Sequence, residues 1–330
     1  MYPVNPLTPN IYIFEILLNI AQHLPFASLA AFSLLPQPAP EVPPLELRRR
    51  IHEHLKQYIP SCDIPEFFNI LEETGAAITG SFVRRLLLEG NEGDRAFKSG
   101  VRDLNLVVER FRQEPITNAM IKYDYDQVQE SVGRHYKNVA YSFTQFIKLD
   151  EDMDFDSVRL TVAEKGILSV ILSAPTTADM TFITANDIIS FFPRMMLANE
   201  CMVVDNAGDI DSIVANLKEQ GQRVLDSNRH WKTPCGSFCP MRWRKTFGDE
   251  GMVRFRWHAR RNVHSPQDLS NSQSWNWRSS AGSIDDDEDA IDRHDIMYRD
   301  QLKWRIWNRC ENPNCSNAIH AAQRAEFLQP

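Results

Sequence analysis

A glycine and a serine, Gly80-Ser81, end a short apolar run at residues 76–79 and open a segment, residues 82–88, with helical spacing of its apolar side chains. Asp103 and Asn105 then bound the start of a second apolar run, residues 104–108. The pattern reads as strand, tight turn, helix, loop, strand, which calls for a sheet with helices packed on it. A turn of this kind exposes backbone N–H groups at a helix N-terminus, where anions are favoured. Residues at i and i+2 of a strand face one side, so two carboxylates there can share magnesium. Asp103 supplies one carboxylate; Asn105 can lend a carbonyl oxygen but no charge.

At 330 residues the chain accommodates one large domain or two ordinary ones. Its apolar fraction of 43% and charged fraction of 24% are those of a soluble globular protein. A net charge of −8 argues against a general nucleic-acid binder. Six cysteines are too sparse for a disulfide scaffold, which points to a reducing compartment, cytoplasmic or nuclear. Residues 16–40 contain no Asp, Glu, Lys or Arg, but no basic segment precedes them, and Asn19, Gln22, His23 and Pro25 interrupt the run. Neither a signal peptide nor a membrane span is expected.

Helical periodicity is read over residues 11–24, 27–35, 45–58 and 65–74, with a stiff linker at Pro36, Pro38, Pro40, Pro43 and Pro44. Further helices are expected over 120–139, 186–192 and 210–220, the last ended by Gly221. Residues 158–163, 168–172 and 178–183 read as strands close enough to form an antiparallel meander. Residues 265–290, with the acidic run 285–289, read as a mobile loop because they offer little apolar surface to offset ordering entropy. A last element is expected over 296–307. The predicted organisation is a helical module at 8–36, a proline-rich linker and helix at 37–65, a core at 66–225, and a Cys/Trp-rich extension at 226–330 with its acidic loop near 265–292.

Thr79-Gly80-Ser81 together with Asp103-Leu104-Asn105-Leu106-Val107-Val108 resembles the start of the polymerase-beta-like nucleotidyltransferase superfamily, in which Gly-Ser precedes an Asp-x-Asp strand. The run at 176–184, with Phe192-Pro193-Arg194 after it, is similar to proteins of mushroom-forming fungi that carry a degenerate form of that fold. The resemblance covers residues 74–204 and implies an α+β architecture, a mixed sheet flanked by helices. It further implies a third carboxylate on a later strand, a role Asp179 fills if its strand lies beside residues 104–108. Asn105 in place of the second carboxylate removes charge from the interaction that dominates this chemistry, so activity is expected to be greatly reduced or absent. An active form would place magnesium on Asp103, Asn105 and Asp179 and the phosphates at Gly80 and Ser81. A nucleotide-binding sensor with the same residues is the related alternative, and the longer gap between Ser81 and Asp103 reads as a loop insertion.

Residues 11–35, especially Glu15 to Leu29, resemble the first half of an F-box, a module whose apolar helical faces bind the adaptor subunit of a cullin-type ubiquitin ligase. The resemblance assigns that contact to Phe14, Leu17, Leu18 and Ala21, with the rest of the chain presented to a target protein. The bland reading is a helix packed on its own domain. Cys235-x3-Cys239 and Cys310-x4-Cys315, with His230 and His320 nearby, allow a four-thiolate or mixed zinc site if the segments meet, although the long intervening loop favours two unrelated pairs. The interleaved tryptophans and arginines near the C-terminus could stack bases, yet alternation of Arg254 and Arg256 with Val253, Phe255 and Trp257 favours an ordinary strand. The sequence thus reads as a non-catalytic F-box-like interaction protein with a degenerate nucleotidyltransferase-like domain. No cofactor is expected, apart from magnesium if the site is active and zinc if the cysteines meet.

Overall fold

The computed structural model describes residues 8–32, 41–89, 103–130, 139–149, 155–204, 210–246, 249–257, 303–306 and 310–318. The expected acidic loop, the insertion before Asp103 and Pro36, Pro38 and Pro40 of the linker lie outside those residues.

Four helices precede the first strand: α1 (Thr8–Gln22), α2 (Phe26–Phe32), α3 (Val42–Leu55) and α4 (Ile64–Thr74). Pro43 and Pro44 belong to the first turn of α3 rather than to the linker, since the N–H groups they lack would find no intrahelical acceptor there. Gly75 ends α4 in the left-handed region (φ 65°), its N–H returning to the carbonyl of Glu72. Then follow β1 (Ala77–Thr79), α5 (Ser81–Leu88), β2 (Asp103–Glu109), α6 (Glu114–Lys122), β3 (Asp126–Glu130), β4 (Ala140–Leu149) and β5 (Phe155–Ala163). The remaining elements are α7 (Ile167–Leu172), β6 (Thr181–Ile183), β7 (Asp187–Ser190), α8 (Pro193–Leu197), β8 (Glu200–Met202), α9 (Ile210–Glu219), β9 (Arg223–Leu225), β10 (Arg244–Lys245), β11 (Val253–Arg256) and β12 (Lys303–Trp304).

Eight strands form one mixed sheet in the order β11-β7-β6-β1-β2-β5-β4-β3, in which β2 and β5 are parallel and the other neighbours antiparallel. The fold is α+β, a mixed sheet flanked by helices. Three expected elements are corrected. The helix at 120–139 stops at Lys122, and β3 begins at Asp126, because Asp124 takes a left-handed turn (φ 64°). Residues 168–172 form α7, not a strand, and residues 186–192 contain β7, not a helix. The meander therefore does not exist: β5 joins β2 and β4, while β6 joins β1 and β7.

Alternation along the strands sorts two apolar clusters onto the two faces. Ile78, Leu104, Leu106, Val158 and Leu160 meet helices α1 to α6 on one face. Ala77, Val107, Ala163, Phe182 and Ile189 meet α7, α8 and the cysteine-rich segment on the other. The N-terminal helices share the first cluster, Phe26 lying edge-on to Phe255 with ring centroids 6.2 Å apart. At the second cluster, Arg244 of β10 is buried against Gly251, where an added Cβ would come within 2.8 Å of both Arg244 Nη2 and the carbonyl oxygen of Ser237. Gly251→Ala is accordingly expected to lower stability by about 1–3 kcal/mol, read as a shifted denaturant midpoint.

Candidate functional site

Gly80 ends β1 at φ 77°, ψ −148°, a region open essentially to glycine, and its carbonyl accepts the first bond of α5 from the Arg84 N–H. A Cβ there would stand 2.8 Å from Asn105 Nδ2. The glycine is thus required by its own neighbour strand, whether or not a phosphate binds. Thr79 pairs with Asn105 across β1 and β2, which puts Asn105 beside the turn.

The strand on the other side of β2 decides the chemistry. In the parallel register of β5, Ser157 stands opposite Asp103 and Arg159 opposite Asn105. The Ser157 hydroxyl donates to Asp103 Oδ1. Asp156, the carboxylate nearest in sequence, falls on the opposite face by alternation and accepts from Gln57 Nε2 at 2.7 Å. Asp103, Asn105, Ser157 and Arg159 therefore present one acidic and one basic side chain on a shared face.

Asp179 is not on the strand beside β2. It ends a 3-10 helix (Thr177–Asp179) before β6, and β1 separates β6 from β2. Its carboxylate pairs with Arg84 of α5, whose other terminal nitrogen donates to Gln220 Oε1 at 3.0 Å. Sequence reasoning found the strand at 158–163 but missed Ser157 and Arg159, since parallel pairing across a helix and two strands leaves no local signal.

The four C-terminal cysteines, by contrast, do meet. The Sγ atoms of Cys235, Cys239, Cys310 and Cys315 all lie within 4.8 Å of one another, and all four residues are buried. Cys235 and Cys239 flank a short 3-10 helix (Gly236–Phe238) in which Gly236 takes φ 56°. Asn228 Nδ2 donates to Cys235 Sγ at 3.3 Å and to Cys310 Sγ at 3.1 Å, and Asn312 Nδ2 donates to Cys235 Sγ at 3.2 Å. Cys239 is held low, at about 5, because the Cys235 thiol donates to it and the Asn317 side chain assists. The Cys235 thiol is pushed up by that same bond and by burial, and burial raises Cys310 to about 11. Among the described residues this is the one group of three or more His, Cys, Asp or Glu able to hold a metal.

On α1, Ala21 is fully buried and Phe14, Leu17 and Leu18 pack against the helical core. The face assigned to a partner from sequence is turned inward, because the apolar stripe meets α3. Among the described side chains of α1, the exposed large apolar residues are Ile13, Ile16 and Ile20, at 47%, 57% and 45% exposure, spaced along one helical face. No described helix is long and apolar enough to cross a membrane.

No protein-family model and no curated protein matches the sequence. Among solved structures, the Thermotoga maritima CCA-adding enzyme complexed with tRNA is 17% identical over 53% of this chain and 42% of that chain, with a TM-score of 0.36. A CCA-adding enzyme with ATP gives 17% identity, the same coverages and a TM-score of 0.35; one with CTP gives 16%, 55%, 43% and 0.34. The chain spans less than half the length of these proteins, and a likeness at that level assigns no residue a role.

Proposed function

We propose that this chain is a non-catalytic interaction protein: a degenerate nucleotidyltransferase-like sheet serves as scaffold, and an F-box-like α1 binds the adaptor subunit of a cullin-type ubiquitin ligase. The arrangement of β1, the Gly80-Ser81 turn, α5 and β2 supports the nucleotidyltransferase-like reading of the core. The register of β5 on β2 carries the non-catalytic half. Phosphoryl transfer depends on ions that neutralise phosphate charge, and those ions need several carboxylates on one face. Here Asp103 stands with Ser157, Asn105 and Arg159, and Asp179 is engaged by Arg84. Among the described residues of that shared face the charges of Asp103 and Arg159 cancel, which leaves no net negative charge to hold a divalent ion. Any metal in this reading serves structure, at the thiol cluster, rather than phosphate chemistry.

The exposed stripe Ile13, Ile16 and Ile20 supports the adaptor half, since it lies within the F-box-like residues 11–35 and fits helix-in-groove recognition. It replaces Phe14, Leu17, Leu18 and Ala21 as the contacting set. The test uses the purified full chain in two titrations. With magnesium and each nucleoside triphosphate at millimolar concentration, no saturable heat is expected; saturable binding that disappears in Asp103→Ala would overturn the non-catalytic half. With the purified adaptor subunit, saturable binding is expected and is lost when Ile13, Ile16 and Ile20 are all changed to Asp, with the unfolding midpoint retained. A folded wild-type chain that ignores the adaptor sinks the other half.

A further inference from the structure

We propose that Cys235, Cys239, Cys310 and Cys315 bind one zinc ion in a closed four-thiolate site that fastens the C-terminal segment to the sheet. The inference is independent of the adaptor reading, because it rests on sulfur geometry alone.

The distances separate an ion from a disulfide. Cys235 Sγ lies 3.7 Å from Cys310 Sγ, and Cys315 Sγ lies 3.8 Å from Cys239 Sγ. A disulfide needs sulfurs about 2.05 Å apart. Four sulfurs placed about 2.3 Å from a central zinc stand about 3.8 Å from one another along the edges of the tetrahedron. Both of these contacts run between the two chain segments, so an ion at the centre joins residues 235–239 to residues 310–315. Four soft ligands exclude magnesium and calcium and leave zinc, with iron as the competitor. All four coordination positions are filled by protein, which makes the site structural and leaves no place for an activated water.

The surroundings are built for charged sulfur. Asn228 and Asn312 are both fully buried and aim amide N–H groups at Cys235 and Cys310. A neutral thiol is a weak acceptor, whereas thiolates around zinc carry net negative charge that such donors offset. The same asparagines lock the two segments: Asn228 Oδ1 accepts from the Glu311 N–H at 2.9 Å, and Asn312 Nδ2 also donates to the Thr233 carbonyl at 2.8 Å. Asn312 Oδ1 further accepts from the Asn314 N–H at 2.9 Å. On binding, each sulfur that still carries a proton releases it to solvent as its zinc bond forms, and no electron is transferred.

The consequence reaches the sheet. The four cysteines belong to the apolar cluster that includes Trp231, Phe191 and Phe192, and Trp304 of β12 meets Phe191 and Phe192 edge-on at 5.2 Å and 5.7 Å. Zinc at this point holds β12 against β10 and keeps the second face of the sheet covered.

Metal content of the full chain, purified without chelator, is the direct test. About one equivalent of zinc per chain is expected, released by a mercurial reagent, and the Cys239→Ser/Cys315→Ser variant should retain less than about one-tenth of it. Should that variant fail to fold, cobalt exchange of the wild-type chain decides: tetrahedral sulfur ligation gives the intense visible bands of cobalt thiolates. A folded chain with no metal, with two disulfides, with iron in place of zinc, or with zinc retained in the double variant would overturn the proposal.

Discussion

Arg50→Met is expected to destabilise the chain by about 3–5 kcal/mol, the cost of removing one partner from a buried ion pair. The guanidinium is 1% exposed and its Nε donates to Glu46 Oε1 at 2.7 Å. Its Nη2 donates to the carbonyls of Ala21, Gln22 and Leu24 at 3.1, 3.3 and 2.6 Å, where α1 ends and the chain turns toward α2. One side chain thus holds α3 to the C-terminus of α1, with its positive charge at the negative end of that helix. Arg49 also grips Glu46, at 2.8 and 2.7 Å, so the carboxylate is not left bare and the loss should fall toward the lower end of the range. Arg50→Lys should recover only part of it, because an ammonium cannot reach Glu46 and the carbonyls with one planar fork. Urea midpoints of the two variants check the order; an Arg50→Met chain within about 0.5 kcal/mol of wild type would remove the clamp from the account. Since a domain of ordinary stability has about 5–15 kcal/mol in all, the clamp also decides whether Ile13, Ile16 and Ile20 are presented on a fixed helix.

Arg50 marks where the sequence stops being legible. The helix around it was readable from alternating basic and apolar residues, but Arg48, Arg49 and Arg50 look alike in sequence, and tertiary packing buries the last of them. Helices with a clear polar face, α3, α4, α5 and α9, were read in place for the same reason β2 and β5 were: their apolar periods are unambiguous. Two of the misread elements are short runs of continuous apolar residues, while the helix expected over 120–139 was broken by the turn at Asp124. Ile167–Leu172 and the Ile188-Ile189 pair of β7 carry no period, so neighbours choose helix or strand. At the candidate phosphate site, Gly80 and Asn105 were found because they are local to β1 and β2. Ser157, Arg159 and the Arg84–Asp179 pair were not, because each depends on which strand lies next to which. The cysteines fall on the same divide: their identity was plain, and their convergence depends on Asn228 and Asn312 joining segments distant in the chain.

Asp249→Ala should cost about 3–5 kcal/mol, and more than Arg244→Met does, although the second change removes the larger side chain. The Arg244 side chain is 1% exposed; its Nε meets Asp249 Oδ1 at 3.0 Å, its Nη1 donates to the Phe191 carbonyl at 2.6 Å, and the rings of Phe192 and Trp304 lie 4.9 Å from its guanidinium carbon. Burial pushes the guanidinium's pKa down, against the opposing pull of Asp249, but arginine does not shed its proton in a protein interior. Deleting Asp249 therefore leaves a cation among aromatic rings with no counter-charge, and it also frees the Gly251 N–H that Asp249 Oδ1 accepts at 2.8 Å. Methionine at 244 instead fills the space between Phe192 and Trp304 with apolar volume, losing the Phe191 carbonyl's partner while removing the charge that needed one. Combining the changes should then be less damaging than Asp249→Ala alone, a coupling that urea midpoints of the three variants would expose. Equal and additive costs would mean that the two residues act independently, Arg244 holding the β10–β12 ribbon through its aromatic contacts rather than through its ion pair with Asp249.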